Sequence, residues 1–387
     1  MGSSAHPRSG GFDATSAPPH PRGYELMALV PSDYLKRSYL ADMVIADTRT
    51  RKLAALALIG VVLVVPAFAS GFVVTVLNLV AMATLGALAL NLLIGVAGQV
   101  SIGSAAFLAI GAFSAAYFGS GHGVPFLVVV PLSAVVAAAV GAVVGVPALR
   151  LRGLYLLIAT LALHYIVVYI VRRYQAAEAG AVGFLMPTPS LFGVRLSSPT
   201  SWYYLLVPCS AAGALLVTNL LRSRYGRAWM AIRDRDIAAE IIGINVSSYK
   251  ILAFVVSAFL TGFQGALFAY YLKVVDADAF TFHLAVQYVA MIIIGGMGSV
   301  LGSYFGAAFV IGLPYMVQEV VKRVPESAPG ADILHRDVFD IQAALYGAAI
   351  VLFFLVEPRG LVALWGRVTT YLRLWPFRRE GAVGDGS

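Results

Sequence analysis

Between positions 53 and 149 the chain carries no Asp, Glu, Lys or Arg. Its apolar residues there run continuously and do not alternate, which excludes strand barrels and predicts membrane-crossing helices of about 20 residues each. Ser70-Gly71, the glycine-rich 95–103 segment and the 119–123 run before Pro125 punctuate the stretch. They divide it into spans near 53–69, 72–94, 103–118 and 125–147. Further charge-free runs predict spans at 153–171, 196–221 and 251–272. The 279–318 run is too long for one crossing, and Gly295-Gly296-Met297-Gly298 splits it into a short piece near 284–297 and a longer one. A last span falls at 341–356. The pattern predicts an all-α, polytopic transmembrane helix bundle of about ten spans. Trp202-Tyr203-Tyr204 predicts an aromatic belt where the 196–221 span meets a membrane interface.

Residues 1–48 differ in character. They hold Pro7, Pro18, Pro19, Pro21 and Pro31 with scattered Gly, Ser and His, and predict a disordered N-terminal extension ahead of a transmembrane core at 49–365 and a tail at 366–387. Composition agrees with the membrane reading: of 387 residues 60% are hydrophobic and only 12% charged, about half the charge of a soluble domain. The single cysteine, Cys209, excludes an internal disulfide or a cysteine-based metal site.

The net charge of +8 could suggest nucleic acid, but the basic residues are distributed by topology. With ten crossings and both termini on one side, 20 Lys and Arg fall on that side and 7 on the other. The bias assigns the richer side, with both termini and the 222–250 loop, to the cytoplasm; the basic excess then meets the lipid bilayer, and no nucleic acid partner is expected.

Enzymatic motifs are absent. None of the five lysines follows a glycine, so there is no phosphate-binding GxxxxGK[ST] loop, and there is no HExxH. The spans contain no carboxylate for a proton relay. They contain small-residue stripes that let helix backbones approach closely: Gly141 and Gly145; Gly298, Gly302 and Gly306; and Ser257, Thr261, Gly265 and Ala269. The polar residues inside them are uncharged and include Asn78, Asn91 and Gln264. Gln99, Ser101, Ser104, Thr160 and His164 are the candidates for lining a solute path. The first three sit in the 95–107 stretch, which reads either as a broken helix lining a cavity or as an ordinary cytoplasmic turn.

The 222–250 loop is the densest in information. Ala228, Met230, Ala231 and Ile232, then Ile237, Ala238 and Ile241, have helical apolar spacing; Asp236 suits a first turn and Gly243 a helix stop. A short helix with an Ala238-Ala239 face fits a groove on a soluble partner; the competing reading is a basic loop lying on anionic lipid. On the first reading, Ala239 and Gly243 face neither lipid nor core.

The loop resembles the EAA loop of ABC-importer membrane subunits, with Ala238-Ala239, three residues, then Gly243. The family's acidic first position is Ile237 here, with Asp236 one step earlier. Three segments in order resemble the branched-chain amino acid permease family, M-type (LivM-like). They are Gly98-Gln99-Val100-Ser101-Ile102-Gly103 with Ala105-Ala106-Phe107; Leu151-Arg152-Gly153-Leu154-Tyr155-Leu156 with Ala159-Thr160-Leu161-Ala162; and Tyr225-Gly226-Arg227-Ala228 through Gly243-Ile244-Asn245-Val246 to Tyr249-Lys250. Ser104 and His164-Tyr165 depart from close relatives, and the urea-type branch shares the layout. The resemblance covers roughly residues 50–365. It implies a transport subunit, not an enzyme, in a bacterial or archaeal inner membrane. Its partners would be a second, H-type permease, two ATP-binding subunits and a periplasmic or lipid-tethered solute-binding protein. The chain itself would bind no cofactor; ATP and Mg belong to the ATP-binding subunits. Arg227, Asp236, Ala238, Ala239, Glu240 and Gly243 would couple their closure to alternating access. The alternative is an ATP-independent channel or secondary carrier for a small solute, which needs no docking helix.

Overall fold

The computed structural model describes residues 60–322 and 360–374, except 61, 152 and 192, with isolated positions between 344 and 351. Among these, eight helical segments are long and apolar enough to cross a membrane. They match the eight central expected spans. Of the expected first span at 53–69, residues 62–68 are described and helical, while 53–59 lie outside the described residues; so do most of the last span at 341–356 and the whole 1–48 extension.

Helix α1 (Gly71–Leu90) starts at the Ser70 cap and continues through a π-helical turn, Asn91–Val96. α2 (Ser104–Ala115) likewise ends in a π turn, Ala116–Gly121. α3 (Phe126–Ala148) follows Pro125, and α4 (Leu154–Glu178) runs seven residues beyond the expected 171. α5 (Pro199–Arg222) opens on a Ser198/Ser201 capping box. Two short helices follow, α6 (Arg224–Asp234) and α7 (Asp236–Ile241). The long α8 (Val246–Leu272) begins where Asn245 accepts from the Ser248 amide at 3.1 Å. α9 (Phe282–Gly295) is the expected short piece, capped by Thr281; α10 is Val300–Lys322. α11 (Leu361–Leu374) passes through the boundary expected at 365.

Glycine and alanine set the packing. A β-carbon on Gly141 of α3 would stand 2.5 Å from Cβ of Ala258 on α8, and one on Gly265 of α8 would strike the Leu108 carbonyl of α2. The expected stripes therefore bring α3 and α2 onto α8 at backbone contact. Gly302 and Gly306 do the same for α10 against Gly295 and Met291 of α9.

Successive spans alternate in direction, so the connections gather at two ends. One end collects 91–103, 148–154, 222–250 and 295–300; a second core cluster there includes Leu88, Leu92, Val96, Val217, Trp229 and Phe254. The other end carries the only strands among the described residues. β1 (Phe184–Leu185) pairs antiparallel with β4 (Val274–Val275), and β2 (Ser190–Leu191) with β3 (Val194–Arg195). There Arg172 meets Asp278 at 2.7 Å, and Gln175 bridges the Asp276 carboxylate and the Ala277 amide.

The aromatic triplet at the start of α5 is engaged within the chain. Trp202 and Tyr203 are buried, and the hydroxyls of Tyr203 and Tyr204 donate to the carbonyls of Val62 and Leu63. The Trp202 and Tyr203 rings lie inside the bundle, and Tyr203 buries its phenol while satisfying its polar tip on a neighbouring backbone.

Candidate functional site at the loop end of the bundle

The 222–250 loop begins where α5 stops. Ser223 donates to the Leu220 carbonyl at 2.6 Å and accepts from the Tyr225 amide at 3.1 Å, so one hydroxyl ends α5 and starts α6. Arg227 donates to the Arg222 carbonyl at 3.1 Å, placing a cation on the negative end of α5. On α6 the inward positions are Gly226, Ala228, Trp229 and Ile232. Trp229 is fully buried, and its indole N–H donates to the Tyr249 carbonyl at 2.8 Å.

Arg235 is extended (φ −155°, ψ 103°) and separates α6 from α7. α7 ends in a left-handed residue, Gly243 (φ +88°). The Ile244 amide donates to the Ala239 carbonyl and the Gly243 amide to Glu240, both at 3.0 Å. This is the Schellman closure that glycine adopts without a β-carbon penalty. Asp236 lies in the first turn, 3.7 Å from the Lys250 ammonium. The acidic group thus has a basic neighbour despite its one-step displacement.

Ala239 is not on an accessible face, as the sequence reading had it. It is 2% exposed, buried within this chain, while Ala238 and Glu240 are exposed. Adjacent helical residues point about 100° apart, so two neighbouring alanines cannot both face a partner. The outward surface of α7 is apolar: Ile237, Ile241 and Ile242 are 66%, 81% and 73% exposed.

Behind the loop lies the 91–103 stretch. It is a connection between α1 and α2 at the loop end. Asn91 holds it: its Oδ1 accepts from the Gly298 amide at 2.7 Å, and its Nδ2 donates to the Ser299 carbonyl at 2.7 Å and to Ser303 Oγ at 3.0 Å. Arg233 of α6 donates to the Gly95 carbonyl at 2.6 Å, and its stem lies over Gly98. Gly98 has φ +69°, and a β-carbon there would stand 2.6 Å from Arg233 Cγ. A cleft of about 300 Å³ opens beside this contact, lined among others by Gln99, Leu151, Ile232, Arg233, Asp236 and Lys250.

The five path candidates separate into two groups. Gln99 donates to the Lys250 carbonyl at 3.2 Å, Ser101 Oγ accepts from the Gly103 amide at 3.2 Å, and Thr160 Oγ1 accepts from the Ile102 amide at 3.1 Å. Gln99 and Thr160 thus fix the 91–103 connection against α8 and α4, and Ser101 closes a turn within it. Ser104 and His164 are buried, and Ser104 Oγ and His164 Nδ1 have no hydrogen-bond partner among the described residues. His164 follows Thr160 by one turn on the buried side of α4.

Sequence reasoning passed over Arg233 and read Asn91 as one more polar residue within a span. The signal for Arg233 was present: it lies four residues after Trp229 on an otherwise apolar helical face, where a cation needs an acceptor.

Comparison with known proteins follows the same lines. The family model described as "Branched-chain amino acid transport system / permease component" matches residues 72–353. The chain is similar to the high-affinity branched-chain amino acid transport system permease protein LivM of Salmonella typhimurium (strain LT2). Identity is 29% over 350 residues, covering 84% of this chain and 78% of the relative. LivM of Escherichia coli (strain K12) matches with the same identity and coverage. A shorter match, 29% over 128 residues, covers 32% of this chain and 35% of the autoinducer 2 import system permease protein LsrC of Klebsiella pneumoniae subsp. pneumoniae. No solved structure matches the chain.

Proposed function

The chain belongs to the branched-chain amino acid transport permease family, and from that premise we propose that it is the membrane-spanning subunit of an ATP-driven importer. It moves branched-chain or related amino acids, released by a binding protein, by alternating access. The two relatives matched along most of their length carry that solute class in their names. The loop end is cytoplasmic, as the charge bias requires. A second permease and two ATP-binding subunits complete the complex, and ATP and Mg act only in the latter.

One observation carries this reading over an autonomous channel. α7 presents Ile237, Ile241 and Ile242 outward on a helix of six residues, while its neighbour α6 is fixed to the bundle by Trp229 and Arg233. Exposed aliphatic residues on a loop that already buries Ala239 suit a groove on a soluble partner. A channel has no use for such a face. Ser104 and His164, with buried polar atoms left open, are the proposed solute-path groups.

The test is substitution on the outward face. Ala238→Glu and Ile241→Glu leave this chain inserted at normal abundance, because neither side chain is buried. Each is expected to lower recovery of the ATP-binding subunits and solute uptake by about tenfold or more, since a carboxylate in an apolar groove costs several kcal/mol. Unchanged recovery and uptake in both variants would remove the docking helix and favour the channel reading.

A further inference from the structure

We propose that Arg233 is a positioning residue of the transport cycle, the group through which displacement of the α6–α7 loop reaches the interrupted membrane helices. This rests on the importer reading above.

The end of α1 supplies the acceptor. Its last turn closes wide, with the Ala97 amide donating to Leu92 and the Gln99 amide to Leu93, and Gly98 (φ +69°) ends the helix. The last carbonyls of a helix lack an intrahelical donor. That of Gly95 is one of them, at the negative end of a long helix, and the Arg233 guanidinium takes it at 2.6 Å. A charge-assisted bond to a helix C-terminus is among the stronger single contacts available to a loop.

The contact reaches a second break. A β-carbon on Gly95 would collide with the Gly298 amide nitrogen. Asn91, four residues before Gly95, both accepts from that amide and donates to Ser299 and Ser303. The α1–α2 connection and the α9–α10 connection are thus one hydrogen-bonded unit, and Arg233 links α6 to it. Of the other inward groups of α6, Trp229 is buried in a neighbouring cluster and bonds the Tyr249 carbonyl, and Ile232 is buried. Apolar packing resists separation and is non-directional. Arg233 gives the loop a directional grip on Gly95.

The experiment uses the complete complex with its binding protein in proteoliposomes, and measures solute transported per ATP hydrolysed. Arg233→Ala is expected to lower that ratio by about tenfold, within the range of measured coupling contacts, while the ATP-binding subunits still co-purify and still hydrolyse ATP. Arg233→Lys keeps a cationic donor on a long stem and is expected to restore most of the ratio. Arg233→Gln retains a neutral donor on a shorter stem, is expected to lie between Ala and Lys, and provides the measurement if the alanine variant does not assemble. An unchanged ratio in Arg233→Ala overturns the proposal. So does joint loss of assembly in Arg233→Ala and Arg233→Gln, which would make Arg233 a packing residue. A wild-type chain that carries no ATP-binding subunit would instead overturn the importer reading.

Discussion

α6 and α7 are consecutive helices in one loop, separated by a single extended residue, Arg235. They are nonetheless held in opposite ways. α6 buries a whole indole and bonds three side chains, Arg227, Trp229 and Arg233, to backbone carbonyls of the bundle. α7 buries one methyl group, on Ala239, and turns three isoleucines to solvent. On the proposed importer reading, a segment that receives a partner keeps its apolar surface uncommitted, and the segment behind it is fixed to what it moves. The division of labour follows from where the large apolar groups point, and both helices obey the same 3.6-residue period.

The strongest way to break this contrast is to loosen α6. Trp229→Ala removes a fully buried indole and leaves the Tyr249 carbonyl without its donor. The expected cost is about 3–5 kcal/mol. It should appear as a large drop in the thermal midpoint of the detergent-solubilised chain, with α6 and the 91–103 connection losing amide-exchange protection together. A change confined to the loop, with the connection still protected, would mean that α6 is not keyed to the bundle as described.

A smaller perturbation tests α7 alone. Gly243→Ala meets no atom within 4 Å, so its effect is backbone strain at φ +88° without a clash. About 1 kcal/mol is expected. That corresponds to about fivefold faster exchange of the Gly243 and Ile244 amides, whose bonds close the helix, with α6 unchanged.

The membrane architecture was legible because lipid enforces a simple rule: about 20 uncharged residues per crossing, with breaks at glycine. Eight expected spans were found within a few residues, except that α4 runs on to Glu178. Its excess turn carries Arg172 and Arg173 outside an apolar window, where composition has no signal. The α7 boundaries were legible from Asp236 and Gly243, since caps are local chemistry. Which alanine faces inward was not, because Ala238 and Ala239 are identical in composition and only the packing of the loop on α8 decides between them. The role of Asn91 was equally hidden. Its partners, Gly298, Ser299 and Ser303, are more than two hundred residues away, and nothing local in the sequence records that distance closing.

The finest test of the contrast is electrostatic. Asp236 sits in the first turn of α7, where a carboxylate favours the helix N-terminus, and 3.7 Å from Lys250, the first charged residue of α8. Both side chains keep some solvent access, 25% and 16% exposed, so screening limits the pair. Asp236→Asn preserves size and hydrogen bonding and removes only charge. The expected loss is about 0.3–1 kcal/mol, from the helix-end and ion-pair contributions together. It should speed amide exchange in 236–241 up to about fivefold at low salt and less at high salt, because added ions already weaken the wild-type contact. Exchange within α6 should move less, since Trp229 and Arg233 hold it through the Tyr249 and Gly95 carbonyls. Equal acceleration of both helices would show that α6 and α7 open as one unit, and Arg235 would then no longer mark the boundary between an anchored and a presented segment.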